Sequence, residues 1–145
     1  MTPRVFLGFD YGEKFIGVAV GGSHTRSAQP LTTVPAAGGE PDWRRVTALI
    51  EDWRPQALVV GLPLNMDASP NPLTRAARAF GQRLKDRYNL AVHMVDERLS
   101  SRAAKQTLYE AGISARRHKP HLDKLSAQLI LQAFLDELKD APDGH

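Results

Sequence analysis

Cysteine is absent from the 145-residue chain. This excludes disulfides and thiolate-bound zinc, and nothing in the composition points to an oxidising compartment. Aromatic residues are sparse at 7%, and no aromatic run forms a platform on which bases would stack. No apolar stretch approaches the length of a membrane span. The N-terminal run VFLGF is broken almost at once by Asp10, so neither a signal peptide nor a membrane segment is expected, and a cytoplasmic location is the default. The charge balance is mild, with a formal net charge of +3 and a sequence pI near 9.4. That suits a polyanionic partner without demanding one. Hydrophobic residues make up 42%, enough for a packed core, and the length fits one domain over residues 1–140, with 141–145 as a frayed tail.

Three carboxylates stand in distinct frames: Asp10 in FLGFDYGEKFIGVAVG, Glu97 in VHMVDERLSS and Asp123 in HLDKLSAQLILQAFL. The first two end apolar, strand-like runs and the third opens an apolar helix. Singly, each reads as well as a solvated charge or a helix cap. Together, strand ends and a helix start can meet at one cleft. Oxygen-only ligands favour Mg²⁺ or Mn²⁺, the ions that support phosphodiester cleavage. Asp96 and Glu97 are neighbours on an extended segment, so only one should face the cleft.

Apolar runs predict strands at Val5–Phe9, Phe15–Val20, Ser27–Val34, Ala57–Gly61 and Leu90–Val95. The turn Tyr11-Gly12-Glu13 makes the first two a hairpin, and Pro35–Glu40 reads as a loop. Helical spacing recurs at Trp43, Val46, Leu49, Ile50 and Trp53, which places both tryptophans on a core-facing stripe. It recurs again at Leu73, Ala76, Ala77, Phe80 and Leu84, in a segment starting near Pro72. A helix capped by Ser100 or Ser101 ends at Gly112, and a last helix covers Leu122–Leu138. A meander followed by βαβ crossovers gives an α/β protein: a mixed five-stranded sheet with helices on both faces, the layout of the ribonuclease H-like fold.

The segments DYGEKFIGVAVG, GLPLNMDAS, VDERLSS and DKLSAQLIL resemble, in order, the motifs of the YqgF/RuvX family. That resemblance spans nearly the whole chain. It implies a metal-dependent nuclease linked to maturation of small-subunit ribosomal RNA precursor and to Holliday-junction resolution. It implies that Asp10, Glu97 and Asp123 are the catalytic and metal-holding acids. Its nucleic-acid partner is precursor rRNA or branched DNA, and a homodimer is compatible with the second. One departure is visible: Ala68 stands where the family usually has Gly in the loop after Asn65, a substitution disfavoured if the backbone there has a positive φ.

Lys14 and Arg98 flank the acidic positions, as phosphate contacts or as ion-pair partners of the carboxylates. Asn65 either holds the scissile strand or forms an Asx turn. Arg116, Arg117 and Lys119 belong to the basic segment ARRHKPHLDK, a backbone-phosphate guide or a solvated face. His118 and His121 lack a third ligand at a suitable spacing, so zinc is rejected. Arg75, Arg78, Arg83 and Arg87 read as the solvated side of their helix.

Two other functions fit part of the pattern. A sugar-kinase or actin-like ATPase also has an acidic residue followed by Gly in a β-hairpin, but it closes two such domains around its nucleotide. A non-catalytic RNA-binding ribosome-assembly module would keep the fold and has no need of the carboxylate set.

Overall fold

The computed structural model describes residues 4–99 and 119–140. Six strands form one sheet: β1 (Val5–Asp10), β2 (Phe15–Gly22), β3 (Ala28–Ala37), β4 (Glu40–Pro41), β5 (Ala57–Leu62) and β6 (Ala91–Asp96). Their order is β4-β3-β2-β1-β5-β6. The β1–β2, β2–β3 and β3–β4 pairs are antiparallel, while β1–β5 and β5–β6 are parallel. Three helices complete the described fold: α1 (Trp43–Trp53), α2 (Pro72–Tyr88) and α3 (Lys119–Asp140).

β1 is buried on both faces because both faces are covered. Its side chains alternate between two cores. Leu7 and Phe9 join Leu58, Val60, Val46, Phe80 and Leu84 under α1 and α2. Phe6 joins Val59, Ala127, Ile130, Leu131 and Leu135 under α3. By the same period of two, Asp10 belongs to the α3 side.

α3 lies very close to the sheet. A Cβ on Gly8 would come within 2.8 Å of the Leu131 Cβ and 3.3 Å of the Ala127 carbonyl, so only Gly admits the helix at this separation. Amide side chains on α3 also serve β3. Gln132 accepts from the Ala28 N–H at 2.9 Å, and Gln128 donates to the Ala28 carbonyl at 3.0 Å.

α2 begins with a reciprocal cap. The Asn71 side chain accepts from the Thr74 N–H at 3.0 Å, the Thr74 hydroxyl accepts from the Asn71 N–H at 2.9 Å, and Pro72 follows at the first helical position. Arg54 and Asn89, both left-handed, close α1 and α2.

The sheet corrects the five-stranded expectation. β3 runs on to Ala37, and Glu40–Pro41 pairs back on it across Gly38-Gly39, so the segment read as a loop is a hairpin. Both glycines have positive φ, 60° and 87°, as a tight two-residue hairpin turn requires. Pro41 is tolerated because β4 is an edge strand. Trp53 departs from the core-facing stripe as well: it is 40% exposed, whereas Trp43 packs 6.0 Å from the Phe80 ring. The helix expected from Ser100 to Gly112 and the tail at 141–145 lie outside the described residues. Among the described residues no helix is long and apolar enough to cross a membrane.

Gly8→Ala should force Leu131 and α3 outward and destabilise the protein by about 1–3 kcal/mol, the usual cost of overpacking. A urea titration reads this as a lower midpoint with an unchanged slope; an unchanged midpoint would contradict the close helix–sheet contact.

Candidate active site

β1, β5 and β6 end at the same side of the sheet, and two carboxylates meet there. Asp10 is the last residue of β1, and Glu97 opens the single 3₁₀ turn Glu97–Leu99 directly after β6. The strand between them ends in Gly61-Leu62. A Cβ on Gly61 would fall 2.9 Å from the Glu97 Cγ and would also collide with the Ile130 Cδ1. Glycine there leaves the groove across which Glu97 reaches Asp10, with which it is hydrogen-bonded.

Such a contact between two carboxyl groups needs a shared proton or a cation. Glu97 is half-buried. Burial raises its carboxyl above the ordinary glutamate range, the hydrogen bond with Asp10 opposes that rise, and the nearby charge of Asp96 adds to it. The donors are all oxygen and the groove is shaped by Gly61. This chemistry fits a hard divalent ion. Among the described residues the pair is not accompanied by a third ligand. Asp123 belongs to α3, and its side chain lies outside the described residues.

The cleft holding the pair has a volume of about 690 Å³. Its walls come from the β1–β2 turn, including Lys14, and from the first turn of α2, including Asn71 and Leu73. Lys14 is therefore at the cleft, as its position in the sequence suggested. Asn65 is not among the lining residues. It is tied into a small network in which its carbonyl oxygen accepts from the Asn71 amide at 3.0 Å and its own amide donates to the Ser69 hydroxyl at 3.0 Å. Asn71, absent from the sequence candidates, is the member of this network that lines the cleft. Its signal in the sequence was only that of a helix cap before Pro72.

Arg98 turns away from the cleft pair. Its guanidinium grips Asp96, with Nη2–Oδ2 at 2.6 Å and Nε–Oδ1 at 3.1 Å, and donates to the Met66 carbonyl at 3.3 Å. This holds Asp96 below the usual carboxylate range. Adjacent acids thus divide: Glu97 meets Asp10, and Asp96 anchors the loop before α2 through Arg98. Arg116 and Arg117 lie outside the described residues. Lys119 opens α3, and its side chain is likewise outside them.

The turn that carries Tyr11 and Lys14 is fastened from behind. The Tyr11 hydroxyl donates to the Gly39 carbonyl at 2.5 Å, Gly39 N–H donates to the Glu13 carbonyl at 3.0 Å, and Ala36 N–H to the Lys14 carbonyl at 2.8 Å. Next to Gly39, Glu40 takes both guanidinium nitrogens of Arg83, at 2.7 and 2.8 Å, and the Trp43 indole N–H at 3.0 Å. These donors hold its carboxyl down at about 2.

The loop from Asn65 to Ser69 is closed by Ala68 N–H donating to the Asn65 carbonyl at 2.9 Å. Ala68 has φ 73°, the conformation that favours Gly. Ala68→Gly should relieve this strain and stabilise the fold by about 1 kcal/mol, net of the entropy that glycine adds to the unfolded chain. A higher urea midpoint would confirm it; a lower one would mean the loop gains nothing from glycine.

The raised carboxyl of Glu97 fixes the sign of a second test. Between the ordinary glutamate value near 4.5 and the higher folded value, the native state binds more protons than the unfolded chain. Stability contributed by the pair is present at low pH and is lost as pH rises through that window. Metal-free wild type should lose stability across it, and Glu97→Gln should remove that loss. A slope of the same size in the variant would show that other groups cause it.

The model of the RuvX family, described as Holliday junction resolvase, matches residues 4–137. A protein of Nitrosococcus oceani named "Putative pre-16S rRNA nuclease" is 54% identical over 136 residues, covering 93% of this chain and 88% of its own. Proteins of the same name from Pseudomonas aeruginosa (strain PAO1) and Coxiella burnetii (strain Dugway 5J108-111) are 49% and 48% identical, each covering 94% of this chain and 95% of its own. Among solved structures, Thermus thermophilus RuvC in complex with a Holliday junction substrate superposes with a TM-score of 0.55 at 17% identity, over 94% of this chain and 96% of that one. A second Thermus thermophilus RuvC structure gives 0.53 at 15%, over 94% and 97%. The structural likeness shows a shared ribonuclease H-like fold, and the sequence match, extending over nearly the whole length, shows that the chain belongs to the RuvX family.

Proposed function

We propose that the protein is a divalent-metal-dependent nuclease that hydrolyses phosphodiester bonds of structured nucleic acid, in pre-16S rRNA processing or at Holliday junctions. The observation that carries this reading is the contact between Asp10 and the half-buried Glu97, at the ends of two strands of the same sheet, in an open cleft that also holds Lys14. The relatives' names and the RuvX family description support the choice of nucleic acid as substrate. A single domain over residues 1–140 and a cytoplasmic setting belong to the same reading.

Asp10 and Glu97 would hold Mg²⁺ or Mn²⁺, with Asp123 as a third ligand, four residues before the sheet-packed Ala127 of α3. Such an ion, when bound, supplies Lewis acidity and lowers the pKa of bound water. The chain's own part is positioning. The buried groove orients Glu97 on Asp10, and the fastened β1–β2 turn keeps Lys14 at the cleft, where its ammonium can meet a phosphate oxygen. Asn71, held by Asn65, faces the same space and offers an amide to the nucleic-acid backbone. Arg98 serves the scaffold through Asp96 rather than the scissile phosphate. Arg116, Arg117 and Lys119 stay in this reading as backbone contacts beside Asp123.

Cleavage of a pre-16S rRNA fragment and of a four-way DNA junction by one preparation, with Mg²⁺ or Mn²⁺ and then with excess chelator, tests the proposal and selects the substrate. Activity that persists in chelator would overturn it. Asp10→Asn should lower cleavage by about two to three orders of magnitude, the scale seen when one transition-state contact is lost. Metal-free melting should hold or rise, because one of two crowded charges is gone. Added Mg²⁺ should raise the melting temperature of the wild type more than that of the variant. A variant that still cleaves but melts earlier would make Asp10 a structural residue.

A further inference from the structure

The positive charge of this protein is concentrated on one helix. α2 carries Arg75, Arg78, Arg83, Lys85 and Arg87 against a single acid, Asp86. Its formal charge of +4 exceeds the +3 of the whole chain. Clustering like charges along a helix costs stability. Arg75 costs more still, since it lies in the first turn, which holds no acid and where the helix dipole disfavours a cation.

Two of the five cations have structural partners. Arg83 is paired with Glu40, and Arg83 and Arg87 lie over the Trp43 ring at 4.8 and 4.1 Å. Arg75, Arg78 and Lys85 are exposed and make no ion pair among the described residues. They follow one another at helical spacing with Gln82 between, on the flank of α2 that faces β6. The one acid of α2, Asp86, accepts from Gln82 at 3.0 Å. Arg78, Gln82 and Lys85 form a wall of a groove of about 370 Å³ whose floor is Val92 and Met94 of β6. From Arg75 to Lys85 the row covers eleven residues, a rise of about 15 Å along the helix. It starts in the same turn of α2 that lines the cleft.

We propose that this flank of α2 is a second phosphate-binding surface, gripping a double-helical arm of the substrate outside the cleft. The inference rests on the nuclease reading and gives its substrate class: a nucleic acid with a duplex arm next to the cleaved bond. A row of cations along about 15 Å of helix matches several successive phosphates on one strand of a duplex, which advance by about 3.4 Å each along the axis. A strand of acidic peptide laid beside β6 would also meet cations. It would have only a two-residue apolar floor to bury, and no reason to need Arg75 in the first helical turn.

The test is the salt dependence of binding, in chelator so that nothing is cleaved, with a blunt DNA duplex and an RNA hairpin as probes. The triple variant Arg75→Gln, Arg78→Gln, Lys85→Gln is compared with a control that removes equal charge elsewhere: Arg4→Gln, Arg26→Gln, Arg54→Gln. For the duplex, the α2 variant should bind more weakly, with a slope of log affinity against log salt shallower by about 2 to 3, one counterion per lost phosphate contact. The control should keep the wild-type slope. The α2 variant should melt at the same temperature or higher, because like-charge repulsion is relieved; a structural role would lower it. The two probes show whether DNA, RNA or both are held. Equal slopes for wild type and α2 variant, or equal flattening in the control, would overturn the proposal. So would loss of an acidic peptide by the variant with duplex binding intact, which would give the groove to a protein. If the duplex slope changes as expected but the wild type cleaves neither substrate with metal, the surface stands and the nuclease reading fails.

Discussion

Two carboxyl groups cannot be held in contact beside an apolar sheet without a proton or a cation between them, and much of this fold serves to hold Asp10 and Glu97 in that position. The parallel pairing of β5 with β1 and of β6 with β5 brings the strand ends level. Gly61 removes the side chain that would stand between the acids, and α3 closes over Gly8 from the same face. Burial then raises the Glu97 carboxyl. A purely structural pair would gain more from a lysine or arginine partner. Arg98, next to Glu97 in the sequence, is committed to Asp96 instead.

The rest of the architecture supports the cleft from behind. The β3–β4 hairpin fastens the β1–β2 turn through Tyr11 and is itself held by the Glu40–Arg83 pair on α2. The Thr74 hydroxyl donates to the Pro63 carbonyl, which ties the cap of α2 to the residue after β5. The loop between them is closed by Asn65, Ser69 and Asn71. Exposed ion pairs contribute little to stability one by one, and their value here is in fixing which groups face the cleft.

Much of this was legible in the sequence, for identifiable reasons. Strands buried on both faces read as unbroken apolar runs, so β1 and β5 were visible, and the short Tyr11-Gly12-Glu13 turn announced a hairpin. Asp96 and Glu97 do divide, but Glu97 lies in the 3₁₀ turn after β6, so strand alternation is not the cause. The family's usual Gly at position 68 made a positive φ the condition under which Ala is disfavoured, and Ala68 meets it. β4 was hidden because its two residues include Pro41, and the pattern of an edge strand that short is indistinguishable from a loop. The exposure of Trp53 was hidden because helical spacing gives a stripe without saying how far the sheet extends beneath it. Asn71 was concealed by its role as a cap. Arg98 was ambiguous because proximity in sequence does not say which of two adjacent acids a long side chain will reach.

The proposed metal site at Asp10 and Glu97 includes a carboxyl that burial raises, so a divalent cation binding there should displace protons. Calorimetric titration of the protein with Mg²⁺ or Mn²⁺, run at one pH in two buffers of different ionisation enthalpy, measures protons released on binding. Wild type should bind the ion and release protons, and Glu97→Gln should bind more weakly and release fewer. Binding without proton release, or binding of equal strength in wild type and Glu97→Gln, would contradict the claim.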